Sequence, residues 1–105
     1  MNISDEQPED IIRRIVKETV GGRVVLFGSR ARKNHRPDSD YDLLVIVERE
    51  IPIKEKIRMT TIIGDLLLDN GIVADVIIKS EEQIMQLRDQ IGSIVKYALQ
   101  EGIVL

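Results

Sequence analysis

The run Tyr41-Asp-Leu-Leu-Val-Ile-Val47 constrains the fold of this chain more than any other stretch. Beyond Asp42 both alternating faces are apolar, so a strand here has no side that tolerates water. Such a strand belongs in the middle of a sheet covered on both faces, and the rest of the chain has to supply the covers. Helical and strand patterns alternate accordingly. Ile11, Ile12, Ile15, Val16 and Val20 recur at helical spacing after a Ser4–Gln7 capping box, and Gly21-Gly22 closes that element. "RVVLF", residues 23–27, reads as a short buried strand. "SRARK" after Gly28 is suited to a short helix, and "NHRPDS" to a loop.

A long helix is expected from Pro52 to about Leu68, with Ile53, Ile57, Ile62, Ile63, Leu66 and Leu67 on its buried side and Asn70-Gly71 as its stop. "IVADVIIK", residues 72–79, is a third strand, interrupted by Asp75. Ser80 and Gln83 form a capping box that opens the next helix, and Ile91, Ile94, Val95, Ala98 and Leu99 mark a last helix ending at Gly102. The expected fold is a single α/β (α+β) domain over 1–105, a small mixed sheet of about three core strands flanked by helices.

Composition narrows the chemistry. The 105 residues contain no cysteine and one histidine, which disfavours thiolate metal sites, imidazole-rich zinc sites and serine–histidine catalysis. A net charge of −3 argues against a nucleic-acid coat, and two Tyr, one Phe and no Trp argue against a base-stacking platform. No apolar run reaches membrane-spanning length and the acidic start does not resemble a signal peptide, so a cytoplasmic location without membrane contact is expected.

Three features remain that carry chemistry. Gly28-Ser29 stands at a strand-to-helix turn, where glycine lets backbone approach a ligand and Ser29 can donate to a phosphate oxygen. A serine N-cap after a turn glycine would have the same sequence. Asp40 and Asp42 flank one residue at a strand start, so their carboxylates share a face with Cα atoms roughly 7 Å apart. Such a pair suits Mg²⁺, although an Asx turn after "PDS" also uses aspartate. Asp75 interrupts an apolar strand; an exposed edge would accommodate it, and a metal shared with Asp40 and Asp42 would explain it. Arg30, Lys33, His35 and Arg36 read as solvated loop charges, with nucleotide or partner contact as the alternative.

Gly28-Ser29, ten residues, then Asp40-Tyr41-Asp42 resembles the G-S-x10-D-x-D motif of the polymerase-beta-like nucleotidyltransferases, with Asp75 as the third carboxylate on a later strand. A chance match to four fixed positions in a chain this short is on the order of one in a thousand. Within that superfamily the chain is similar to the minimal nucleotidyltransferase group. The resemblance implies a nucleotidyltransferase fold whose first two strands are antiparallel, so that Gly28 lies beside Asp40 and Asp42. It implies Gly28, Ser29 and Arg32 on the nucleotide, and Asp40, Asp42 and Asp75 as catalytic ligands of two Mg²⁺ ions, with ATP as substrate. It further implies an antitoxin paired with a HEPN-domain ribonuclease toxin, which it neutralises by transferring AMP to a tyrosine, with a hetero-oligomer of the two as the expected assembly. A non-catalytic antitoxin acting by binding, and a transferase acting on a small molecule or RNA, are the alternatives. After the third strand only about 25 residues follow, one or two helices rather than a substrate-binding domain, so a macromolecular acceptor is expected. Relatives commonly read G-S-R-A-R-G where this chain has Lys33, so the turn after the short helix either changes or is made without glycine.

Overall fold

The computed structural model describes residues 6–105. In chain order the elements are α1 (Pro8–Thr19), β1 (Arg23–Phe27), α2 (Ser29–Arg32), β2 (Tyr41–Val47), α3 (Ile53–Asp69), β3 (Ala74–Ser80), α4 (Glu81–Leu87), α5 (Ile94–Glu101) and β4 (Ile103–Val104). The sheet runs β3-β2-β1-β4. β1 is antiparallel to β2 and to β4, and β2 is parallel to β3, as a strand–helix–strand crossover through α3 requires.

β2 is central and buried on both faces, as its composition demands. Tyr41, Leu43, Val45 and Val47 join Val24, Leu26, Ile63, Leu67 and the α1 residues Ile12, Ile15 and Val16 in one core. Leu44 and Ile46 join Val25, Phe27, Ile84, Val95 and Ala98 in a second core beneath α4 and α5. The helices thus divide into two layers, α1 with α3 on one face and α4 with α5 on the other.

The structure departs from the sequence-based expectations in three places. The sheet has a fourth strand: after Gly102 the chain turns back along β1, pairing Val25 with Val104 and Leu26 with Ile103. A two-residue strand has no periodicity to detect. Gly102 is required there, since a Cβ would collide with Ala98 O and Val25 Cγ1.

The second departure concerns α3. Only Ile63 and Leu67 of its expected apolar side are buried; Ile53 and Ile57 are 68% and 62% exposed, and Ile62 and Leu66 are a little over one-third exposed. Apolar residues surround more of this helix than one sheet and one neighbouring helix can cover. Third, Ile91 lies outside α5 and is exposed, leaving Val95 and Ala98 as that helix's buried contacts. Asp75 takes the exposed-edge alternative that its sequence left open: it is exposed on an edge strand, so no burial penalty attaches to it. The proposed Ser4–Gln7 box has its serine outside the described residues; Gln7 holds the N-cap position without a side-chain cap bond. The Ser80–Gln83 capping box forms as expected, with both reciprocal bonds present.

Candidate functional site

The end of β1 and the start of β2 lie side by side because the two strands are antiparallel. Phe27 pairs with Asp42 across them, which sets Gly28 against the Asp42 side chain. The backbone of Gly28 adopts φ 74° and ψ −157°, a region essentially closed to other residues. A Cβ at this position would overlap Asp42 Oδ2. The backbone conformation therefore demands glycine, and a side chain there would have to displace the Asp42 carboxylate. Ser29 follows as the first residue of α2 and is partly exposed.

On the other side of β2, the parallel register sets Asp42 directly opposite Asp75. Both side chains point to the α4/α5 face of the sheet, since Leu43 and Val76, their neighbours in sequence, pack on the other. Asp40 precedes β2 by one residue and is exposed, while Asp42 is half-buried. The Asp42 carboxyl titrates above the ordinary aspartate range, foremost because burial disfavours its charge. The negative charges of Asp75 and then Asp40 raise it further, and the Arg32 cation opposes them weakly. These three aspartates thus share one electrostatic environment, although they come from a loop end and two different strands.

Arg32 is drawn toward α5. Its NH1 donates to the Tyr97 hydroxyl and, at 3.2 Å, to Glu101 Oε2. Tyr97 in turn packs edge-on against Phe27, with ring centroids 6.0 Å apart. The helix α5 therefore stands beside the strand end that carries Gly28, and it holds Arg32 there.

Sequence reasoning left Arg30 as a solvated loop charge, and the structure corrects this. Its guanidinium donates to Ser39 O at 2.8 and 3.0 Å and to Pro37 O at 3.0 Å, and it lies 4.3 Å above the Tyr41 ring. Arg30 thereby ties α2 to the loop that delivers Asp40. The only available signal was an arginine, with its five-donor fork, beside a loop rich in unpaired carbonyls. Lys33 ends α2 with φ 60°. The left-handed turn that glycine would ease is kept, and a lysine makes it.

A cavity of about 830 Å³ lies on the α1 side, lined by Pro8, Ile11, Arg14, Tyr41 and Asn70, and contains none of the three aspartates. They sit instead at an open sheet end. Among the described residues no three carboxylates, histidines or cysteines are grouped closely enough to hold a metal ion by themselves. The donor set nevertheless fits a hard cation. All its atoms are carboxylate oxygens, and their mutual repulsion around Asp42 is what a divalent ion would relieve. Mg²⁺ takes few protein ligands and completes its shell with water and phosphate, so an open set suffices.

Comparison with known proteins agrees with this architecture. The model of the nucleotidyltransferase domain family matches residues 9–105. Among solved structures, one described as a minimal nucleotidyltransferase is 28% identical with a TM-score of 0.58, over 97% of this chain and 99% of that one. A chain from a toxin–antitoxin crystal structure with AMP-PNP aligns with a TM-score of 0.65 at 15% identity, over 91% of this chain and 70% of its own. A nucleotidyltransferase structure from Sulfolobus solfataricus aligns with a TM-score of 0.55 at 17% identity, over 98% of this chain and 90% of its own. No curated protein matches the sequence at a significant level.

Proposed function

Since the chain belongs to the nucleotidyltransferase domain family, we propose that it transfers AMP from ATP to a tyrosine hydroxyl of a HEPN-domain toxin and serves as that toxin's antitoxin. The observation that carries the catalytic part is the pairing of Asp42 with Asp75 across β2 and β3, beside the constrained Gly28. The structural likeness to a chain of a toxin–antitoxin complex with AMP-PNP supports the nucleotide and the class of partner.

Under this reading Asp40, Asp42 and Asp75 would hold two Mg²⁺ ions. Bound there, the ions would neutralise triphosphate charge and make the acceptor hydroxyl more acidic. The Gly28 turn leaves room for the β- and γ-phosphates, Ser29 donates its hydroxyl to them, and Arg32 adds a charged fork. Asp75 accepts the proton of the attacking hydroxyl. The new bond joins the acceptor oxygen to the α-phosphorus, the bond to the bridging oxygen breaks, and pyrophosphate leaves. The exposed position of Asp75, on an edge strand at an open sheet end, suits an acceptor as large as a protein side chain. Residues 1–105 would act as one catalytic domain, and its setting is the cytoplasm; among the described residues no helix is long and apolar enough to cross a membrane.

The test combines the chain with ATP labelled at the α-phosphate, Mg²⁺ and a HEPN-domain protein encoded beside it. Label should appear on a partner tyrosine and disappear with Asp42→Asn or Asp75→Asn. Neutralisation of the partner without any transfer would replace this reading with an antitoxin that acts by binding.

A further inference from the structure

We propose that the outward face of α3 is a self-complementary surface that pairs with a second copy of this chain in antiparallel fashion. The helix is unusual in what it leaves uncovered. Ile53, Ile57 and Leu68 are 68%, 62% and 58% exposed. At 100° per residue they line up with Thr61 and Gly64 into one stripe along the helix, about 22 Å long. The middle of the stripe is small. A Cβ added to Gly64 would meet nothing, so a second backbone has room to approach.

The charges beside this stripe give the partner's identity. Lys54, Arg58, Asp65 and Asp69 fall on one flank, and all four are exposed. Among the described residues none of them takes part in an intramolecular ion pair, whereas the neighbouring Lys56 is bound by Glu50. Their order also runs against the helix dipole. On this flank the cations sit in the first half, although Glu55 on another side of the first turn is acidic, and Asp69 ends the last turn, which contains no basic residue. That arrangement slightly disfavours the isolated helix. It becomes favourable if an antiparallel copy lies alongside, because antiparallel helices bring matching flanks together about a two-fold axis.

One register satisfies every position. With the axis near Thr61, Ile53 meets the partner's Leu68 and Ile57 meets the partner's Gly64. Lys54 and Arg58 then face the partner's Asp69 and Asp65, and the same pairs recur by symmetry. A different protein would have to reproduce this charge order by coincidence; a second copy has it necessarily. The contact lies on the α1/α3 face, whereas Asp42 and Asp75 point to the α4/α5 face, so dimerisation leaves the carboxylates open. This inference is independent of the transferase reading.

Sedimentation equilibrium of the full chain tests it. A single helix pair should give a weak, reversible dimer, weakened several-fold by molar salt. K54D/R58D alone and D65K/D69K alone each place like charges across the axis, and each should associate at least about tenfold more weakly. Mixed in equal amounts they should form a one-to-one heterodimer with affinity near the wild-type value. Circular dichroism of each variant checks that the fold is intact. The inference is overturned if the wild-type chain stays monomeric to about 200 µM. It is equally overturned if dimers survive both charge reversals, or if folded variants fail to pair when mixed. Binding of a toxin to this face by a wild-type chain that is itself monomeric would reassign the surface to that toxin.

Discussion

Gly28 and Asp42 share one corner of the sheet so closely that a side chain on Gly28 would have to displace the Asp42 carboxylate. A methyl group on Gly28 would occupy the position of Asp42 Oδ2, and the glycine backbone is in a conformation other residues avoid. Gly28→Ala should therefore strain the turn by about 1–3 kcal/mol. It should also push the Asp42 carboxylate out of register with Asp75. The expected result is a modest drop in the urea midpoint with a loss of transfer of at least about a hundredfold, since small displacements at a reacting centre are amplified. An activity loss no larger than the stability loss explains would separate Gly28 from the chemistry.

Lys33 offers the opposite case. It holds φ 60° at the end of α2, in the left-handed region that favours glycine. A left-handed conformation costs a residue with a Cβ about 1–2 kcal/mol, and glycine returns part of that as unfolded-chain entropy. Lys33→Gly should stabilise the fold by about 0.5–1 kcal/mol in denaturant titration. Destabilisation would mean that the lysine side chain itself supports the loop.

Arg32 is held at the site by Tyr97 and Glu101, both through NH1. Removing the guanidinium in Arg32→Ala should raise the KM for ATP about tenfold, the value of one charge-assisted hydrogen bond. Glu101→Gln loosens only the positioning, and the pair is exposed, so an increase of about two- to fivefold with kcat nearly unchanged is expected. If Glu101→Gln instead lowers KM, the glutamate competes with the triphosphate rather than orienting its ligand.

Glu50 supplies the pH dependence. It accepts from Lys56 Nζ at 2.9 Å and from Ser80 Oγ at 3.1 Å, and Ser80 is the buried N-cap of α4. The Lys56 bond, more than the Ser80 bond, holds the Glu50 carboxyl below the usual glutamate range. Because the folded-state value is depressed, the stabilisation is present above the unfolded glutamate value and is lost as pH falls through the folded one. Stability of the wild-type chain relative to Glu50→Gln should decline between about pH 5 and pH 3 and be level near neutrality. Parallel urea-midpoint profiles for the two proteins across that range would refute the assignment. Ser80→Ala, which removes the cap outright, should cost about 1 kcal/mol near neutrality.

Much of this protein was determined by local sequence. The all-apolar run after Asp42 could only become a central strand, and the Ser80–Gln83 box could only start a helix where it does. Gly28-Ser29 and Asp40-Tyr41-Asp42, at their spacing, announced the family before any coordinates. Those features are legible because each depends on neighbours within a few residues. Tertiary structure decided the rest. The register that sets Asp75 opposite Asp42 joins residues on different strands, and no periodicity encodes it. Arg30 acquired its role from carbonyls brought to it by the folded loop. For α3, the sequence specifies an apolar helix but not which arc of it meets the sheet. Only packing against β3 and α1 left Ile53, Ile57 and Leu68 in the open, because a single layer of neighbours can cover one side of a helix and no more.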